Sequence, residues 1–362
     1  MKNLMHSSRR ELISAAGAIG GLGALQGIGA VSTLMFSGNV QAASMSLSTL
    51  RSTSKSWLWA VEDFAGGKDF FTKAGLTVAK AATERGTNHD ALLGGASDVL
   101  LGAPQQNMRV QILGKPVVII AGMVNKFASN VVIKKSIADR LGVTESSPIE
   151  KKRAALKGLR MGTTGPGGAP DQLLRHFLRQ AGLDPNKDAK LVPIRGGAAM
   201  IAGMQQDQID GFCLSSPTSD LAVEKAGATY LFNMAVNPPE EFDDYLYITA
   251  SVTEETAKAK PQALTAYCKG LALALKAQKE DPALFKLWAR SWFSTMDDAL
   301  FETAYRNNSA IYMSTPVPSQ HHFDVNLKFM NQSLIDAGRE PAPKDYSYEK
   351  AFNLTFAKQA LA

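Results

Sequence analysis

Thr163-Thr164-Gly165-Pro166-Gly167-Gly168-Ala169-Pro170-Asp171 is the stretch of this chain best equipped for chemistry. A strand-like run, Leu159–Thr163, leads into it, and an amphipathic helix over Asp171–Ala181 leaves it. Free backbone N–H groups and the helix dipole therefore face the end of the strand. Glycines let backbone approach an anion closely or take positive φ, and Pro170 suits the first helical turn, where a missing N–H costs nothing. The Lys-Ser/Thr pair of a nucleotide-binding loop is absent. Two readings stand: contact with a small anion through Thr163, Thr164, Gly167 and Gly168, or a plain turn. Three glycines, two threonines and two prolines exceed what a plain turn needs.

The other candidates also sit at the ends of strand-like runs. Trp57 or Trp59, but not both, is expected to wall an organic ligand, the other packing beneath the first helix. Gly102 and Ala103 follow the Asp98–Leu101 run, at the carboxyl edge where open α/β sheets bind ligands. Asn125 follows the Pro116–Ala121 run (PVVIIA) and is a candidate hydrogen-bond donor. Arg195, before Gly196-Gly197 and a helix, is either a bidentate partner for a sulfonate or carboxylate or a surface arginine. Ser215 ends the Ile209–Leu214 run; Tyr245 and Tyr247 open the Tyr245–Ala250 run, and one of them is expected to face inward. His89, His176, His321 and His322 have no metal-ligand spacing, and His176 falls on the polar face of its helix. No Ser-His-Asp or Cys-His set is evident. No catalytic residue, metal or cofactor is expected.

These residues need a frame to position them. Short apolar runs alternate with helix-period runs, which predicts an α/β protein with mostly parallel sheet. Strands are expected at Leu50–Ser56, Leu76–Ala81, Asp98–Leu101, Pro116–Ala121, Asn130–Lys134, Leu159–Thr163, Leu191–Ile194, Ile209–Leu214, Tyr230–Met234 and Tyr245–Ala250. PVVIIA has the continuous β-branched pattern of a strand buried on both faces. A helix is expected from Leu58 to about Lys73, closed by Gly75, and from Thr253 onward the chain reads as nearly all helical.

The first 42 residues are set apart. Ser8-Arg9-Arg10-Glu11-Leu12-Ile13 precedes a charge-free, Gly/Ala-dominated stretch that ends at Val40-Gln41-Ala42, the pattern of a twin-arginine export signal. An uncleaved anchor is the alternative, which the many glycines disfavour. The net charge is +6, and removing Lys2, Arg9, Arg10 and Glu11 leaves +4. That mild surplus, with Lys151-Lys152-Arg153 as its only dense run, does not call for nucleic acid. No cysteine lies near the cut to carry a lipid, so a free periplasmic protein is expected.

Several segments resemble, in order and spacing, the periplasmic solute-binding proteins of ABC importers that handle nitrate, sulfonates, taurine, bicarbonate and thiamine-precursor pyrimidines. Phe70-Phe71-Thr72-Lys73-Ala74-Gly75-Leu76-Thr77-Val78, Gly94-Gly95-Ala96-Ser97-Asp98-Val99 and Lys157-Gly158-Leu159-Arg160-Met161-Gly162 are similar to that family's recurring segments. So are Leu173-Leu174 through Leu183-Asp184-Pro185, and Met200 through Ile209-Asp210-Gly211. The resemblance implies a type II periplasmic-binding-protein fold, with two lobes joined by two crossover strands and a helical C-terminal tail. Lobe one would take residues 43–128 and 250–362, and lobe two residues 129–249. One small ligand would sit between the lobes, a sulfonate-like anion first and a flat heterocycle or aromatic acid second, and be passed to an inner-membrane permease by a monomer. An enzyme or a sensor module on the same scaffold is the alternative. The resemblance also places Cys213 and Cys268 in different lobes, so both are expected as free thiols, because a bridge would hinder hinge closure.

Overall fold

The computed structural model describes residues 45–83 and 88–362, all within one compact unit. The export-signal reading, with Arg9 and Arg10, lies outside the described residues. Among the described residues, no helix is long and apolar enough to cross a membrane.

The chain begins with β1 (Met45–Arg51), a 3-10 turn at Trp57–Trp59, α1 (Ala60–Gly67), α2 (Phe70–Lys73) and β2 (Leu76–Ala82). Next come α3 (Asn88–Leu93), β3 (Val99–Gly102), α4 (Pro104–Ile112) and β4 (Val117–Val124). A second set follows: β5 (Ser129–Lys134), α5 (Lys135–Leu141), α6 (Ile149–Ala154), β6 (Arg160–Thr163) and α7 (Ala169–Gln180). It continues with β7 (Lys190–Pro193), α8 (Gly197–Gln205), β8 (Gly211–Ser215), α9 (Thr218–Lys225) and β9 (Ala228–Phe232). The chain then returns through β10 (Ile248–Thr253) to α10 (Glu254–Ala259) and α11 (Pro261–Glu280). The tail is α12 (Pro282–Trp292), α13 (Asp298–Asn308), α14 (Gln320–Asp336), α15 (Tyr348–Ala351) and α16 (Thr355–Gln359).

Two five-stranded sheets result, in the orders β2-β1-β3-β10-β4 and β7-β6-β8-β5-β9. Each is parallel except for one strand: β10 runs antiparallel to β3 and β4, and β5 antiparallel to β8 and β9. Those two exceptions are the strands that follow the crossings between sheets. The carboxyl ends of the parallel strands, beyond Arg51, Gly102, Val124, Thr163, Pro193 and Ser215, thus form the edge where α/β sheets receive ligands.

Local physics accounts for the departures from the sequence reading. The first strand is Met45–Arg51 rather than Leu50–Ser56. Leu47, Thr49 and Arg51 alternate inward, but serines and threonines hide the pattern. The single helix expected over Leu58–Lys73 is broken into a 3-10 turn, α1 and α2. Gly66-Gly67 closes α1, and Asp69 sits in the left-handed region at φ 59°. The strand expected from Tyr245 begins at Ile248, and Tyr245–Tyr247 belongs to the crossover. Within PVVIIA, Val117–Ala121 is buried on both faces as expected apart from the partly exposed Val118, while Pro116 ahead of the strand is exposed.

The main hydrophobic cluster runs through both halves. Its bridge is aromatic: the Phe127 ring lies 5.2 Å from Phe242, 5.1 Å from Tyr245, 4.6 Å from Tyr247 and 6.2 Å from Phe329. Burial of such rings contributes roughly 1.5–3 kcal/mol each. That packing keeps the crossovers ordered while the strand ends beyond them stay free for a site. Cys213 in β8 and Cys268 in α11 are both buried and unbridged.

Candidate functional site

The Gly-rich turn joins β6 to α7 at the carboxyl edge of the second sheet. Gly165 and Gly167 have φ of 121° and 80°, conformations open to glycine but strained for other residues. The Gly165 N–H donates to Thr163 Oγ1 at 3.2 Å, and the Gly167 N–H to Asp171 Oδ2 at 3.1 Å. Thr163 is buried and its hydroxyl shapes the turn, whereas Thr164 is exposed. A Cβ on Gly168 would stand 2.5 Å from Thr164 Oγ1 and 3.3 Å from the Gly165 carbonyl, so a side chain here must displace the Thr164 hydroxyl. A Cβ on Gly165 or Gly102 would meet nothing within 4 Å, so both backbones look onto open space.

Four helices start at this edge without a capping side chain: α4 after Ala103, α7 after Gly168, α8 after Gly196 and α9 after Pro217. Their first N–H groups are left to a neighbour or a ligand, and the dipoles favour negative charge. The starts of α4 and α7 face one another. Tyr245 Oη donates to Gln105 Oε1 at 3.0 Å, Gln105 Nε2 to Gln172 Oε1 at 3.3 Å, and Gln172 Nε2 to the Gly167 carbonyl at 3.0 Å. All three side chains are buried. This relay runs from the crossover through α4, beside the first sheet, into the turn that follows β6 of the second. Burial holds the Tyr245 hydroxyl well above its usual pKa, so it stays a donor.

The tryptophans take another part than the one expected of them. Trp57 is fully buried against Phe293, Phe301, Phe285 and Tyr305, with Phe293 4.7 Å away. Trp59 is also buried, and its Nε1 donates to Thr53 Oγ1 at 2.9 Å. The 3-10 turn they form is buried throughout, so both indoles lie behind the loop after β1, which they brace, instead of walling a ligand. Arg51 Nη2 donates to the Ser54 carbonyl at 2.7 Å and Lys55 Nζ to the Trp292 carbonyl at 2.8 Å, completing the brace. Ser56 Oγ then reaches across to the Ser216 carbonyl at 2.8 Å.

Asn125 gives its side-chain amide to Asp244 Oδ1, tying one crossover to the other. Arg195 is exposed at the end of the outermost strand β7. Ser215 is partly buried at the end of β8, next to the cis Ser216–Pro217 bond. His176, expected on a polar face, is half-buried against Phe242 and Phe329, each 5.5 Å away. The tail ring Phe329 covers that face of α7, which sequence periodicity could not show.

The sequence reading missed a buried carboxylate and an arginine. Asp220 is fully buried and accepts hydrogen bonds from Ser216 Oγ, Tyr230 Oη at 2.5 Å and Asn307 Nδ2 at 2.8 Å. Burial and this carboxylate push the Tyr230 hydroxyl's pKa up. Asn307 comes from α13, so the contact links the tail to the loop beside the cleft. Arg109, near the end of α4, lies beside the turn: its Nη1 is 3.7 Å from where a Cβ on Gly167 would stand. Neither residue belongs to a recognisable motif; only their positions on helices that start at the cleft point to them.

Two grooves lie elsewhere. One, of about 420 Å³, is lined by Gly158, Arg175 and Pro185–Leu191, and another, of about 950 Å³, lies around Lys115–Val118, Glu254 and Lys350–Lys358. Both sit at the opposite edge of their sheets, where β6 and β4 begin. Among the described residues, no group of His, Cys, Asp or Glu is arranged to hold a metal.

Two mixed five-stranded sheets with flanking helices, two crossovers and a helical tail are the type II periplasmic-binding-protein fold. Residues 62–287 match the NMT1-like family, and the chain belongs to that family. The nitrate/nitrite binding protein NrtA of Synechococcus elongatus is 40% identical over 76 residues, which are 21% of this chain and 17% of that protein. The matched stretch thus spans less than a fifth of that relative. The periplasmic nitrate-binding protein NrtA from Synechocystis PCC 6803 superposes with a TM-score of 0.67 at 18% identity, covering 87% of this chain and 88% of that one. The alkanesulfonate-binding protein SsuA from Xanthomonas axonopodis pv. citri, bound to MOPS, gives 0.66 at 14%, covering 86% and 98%.

Proposed function

We propose that this protein is the solute-binding component of an ABC importer and captures a small anionic organic ligand between its lobes. A sulfonate is the first choice and a flat heterocyclic or aromatic acid the second. The observation that carries this reading is that the uncapped starts of α4 and α7 meet through Gln105 and Gln172 beside the Gly-rich turn, at the carboxyl ends of both sheets. Such a cleft offers N–H donors and positive dipole ends to an anion. The named relatives bind nitrate or an alkanesulfonate, which agrees with an oxyanion ligand.

In this reading residues 43–128 and 250–362 move as lobe one and residues 129–249 as lobe two. The liganded closed form is favoured because contacts then exist to both lobes at once. The protein works as a monomer in a periplasm, reached by the twin-arginine route, and hands its ligand to an inner-membrane permease. Its ligand-facing groups are Thr164, Gly165, Gly167, Gly168, Gly102 and Ala103.

A thermal-shift screen of the chain from residue 43, over alkanesulfonates, aromatic acids, nitrate and pyrimidines, tests the proposal. A concentration-dependent rise in Tm with one anionic class is expected, and mass spectrometry should recover that compound unchanged. Stabilisation only by uncharged compounds, or conversion of the compound, would defeat the reading.

A further inference from the structure

Arginines that leave water in this protein take a carboxylate with them, and Arg109 does not. Among the described residues, Arg51, Arg153, Arg160, Arg175, Arg179 and Arg290 are buried or half-buried, and each lies within 4 Å of a carboxylate. Arg109 is half-buried and has no such partner. Its one hydrogen bond, from Nη2 to the neutral Ser333 Oγ at 2.9 Å, spends one of five N–H donors. Its Nε is buried with no partner at all.

The surroundings do not neutralise it. The nearby Asp171 makes no ion pair with Arg109 within 4 Å and turns its Oδ2 to the Gly167 N–H and Arg175 Nε. Burial, with the like charge of Arg339 added, lowers the guanidinium's pKa against the opposing pull of Asp171. Gly167, beside the guanidinium, belongs to the turn that precedes the uncapped start of α7. A desolvated cation with unspent donors, set beside a helix start of the opposite lobe, lacks one thing, an oxyanion.

We infer that Arg109 sets the charge of the ligand, its guanidinium pairing with an oxyanion headgroup seated between α4 and the Gly167 turn. The inference rests on the cleft being the binding site and adds the residue that discriminates. Arg195, the arginine the sequence suggests for this role, is exposed on an outer strand, whereas Arg109 reaches from one lobe to the other. Closure without an anion leaves the guanidinium uncompensated. A bound oxyanion therefore favours the closed form, and an uncharged analogue of the same shape does not.

The test compares wild type, Arg109→Gln, Arg109→Lys and Thr164→Ala against hexanesulfonate, hexanesulfonamide, sodium nitrate and sodium sulfate at constant ionic strength. Arg109→Gln should lose at least about tenfold in affinity for the anions that wild type binds, and Arg109→Lys should keep part of it. Hexanesulfonamide should bind wild type and Arg109→Gln alike. Ligand-free Arg109→Gln should melt at or above the wild-type temperature, because a charge without a counter-ion is removed. Undiminished anion affinity in Arg109→Gln, or a ligand-free Tm several degrees lower, overturns the inference. If Thr164→Ala loses affinity while Arg109→Gln keeps it, the inference alone falls. If both keep it, the cleft reading falls too.

Discussion

Two residues that look alike in the sequence as ligand candidates, Gly168 and Trp57, separate once their neighbours are known. Gly168→Ala would drive a methyl into the Thr164 hydroxyl 2.5 Å away and displace the turn. The expected outcome is a stability loss of about 1–3 kcal/mol in urea unfolding, together with weaker ligand binding. Trp57→Ala should cost about 3–5 kcal/mol, because the ring is wholly enclosed by aromatic neighbours. Its ranking of ligands in the thermal-shift screen should be unchanged; a reordered ranking would return Trp57 to the cleft. The turn was legible because glycine and proline density is local chemistry. Arg109 and Trp57 were not, since what decides their roles lies far along the chain: Ser333 is 224 positions from Arg109.

At the scale of elements, the tail helices do more than cover the first sheet. α13 packs Phe301 and Tyr305 against Trp57, and it also sends Asn307 to Asp220 and Tyr230 beside the second sheet. On the other flank α14 meets α7 through Arg179 and Asp336 at 2.9 Å and through Phe329 against His176. Opening the lobes would strip Asp220 of one of its donors. A buried polar group left without a partner costs about 1–3 kcal/mol. Asn307→Ala should therefore favour the open form and weaken every ligand by a similar factor, visible as a larger radius of gyration in solution scattering without ligand. An unchanged radius together with unchanged affinity would show that α13 does not restrain the lobes. The alternation of strands and helices was readable from periodicity, and so was the helical character of the tail. The short helices α6 and α9 were not predicted, and the start of α9 supplies Asp220 to this contact. Both are short, six and eight residues, so neither shows a sustained helical period when read alone.

Over the whole molecule, the two thiols sit deep in separate halves. Burial pushes the Cys268 thiol up to about 12 and raises that of Cys213 as well. Neither should react with a thiol reagent at pH 8 while the protein is folded, and both should react after unfolding without any reductant. Reaction of none after unfolding would mean a bridge and a hinge locked by it.

The polar contacts that join the lobes at the cleft itself, Ser56 to Ser216 and Gln105 to Gln172, are made between neutral groups. Such contacts keep their strength when the surrounding fluid turns brackish or mildly acidic, because no proton or counter-ion is exchanged in making them. Salt would instead loosen the outlying ion pair of Arg179 with Asp336 and the grip on a charged cargo, while these two neutral contacts hold as before.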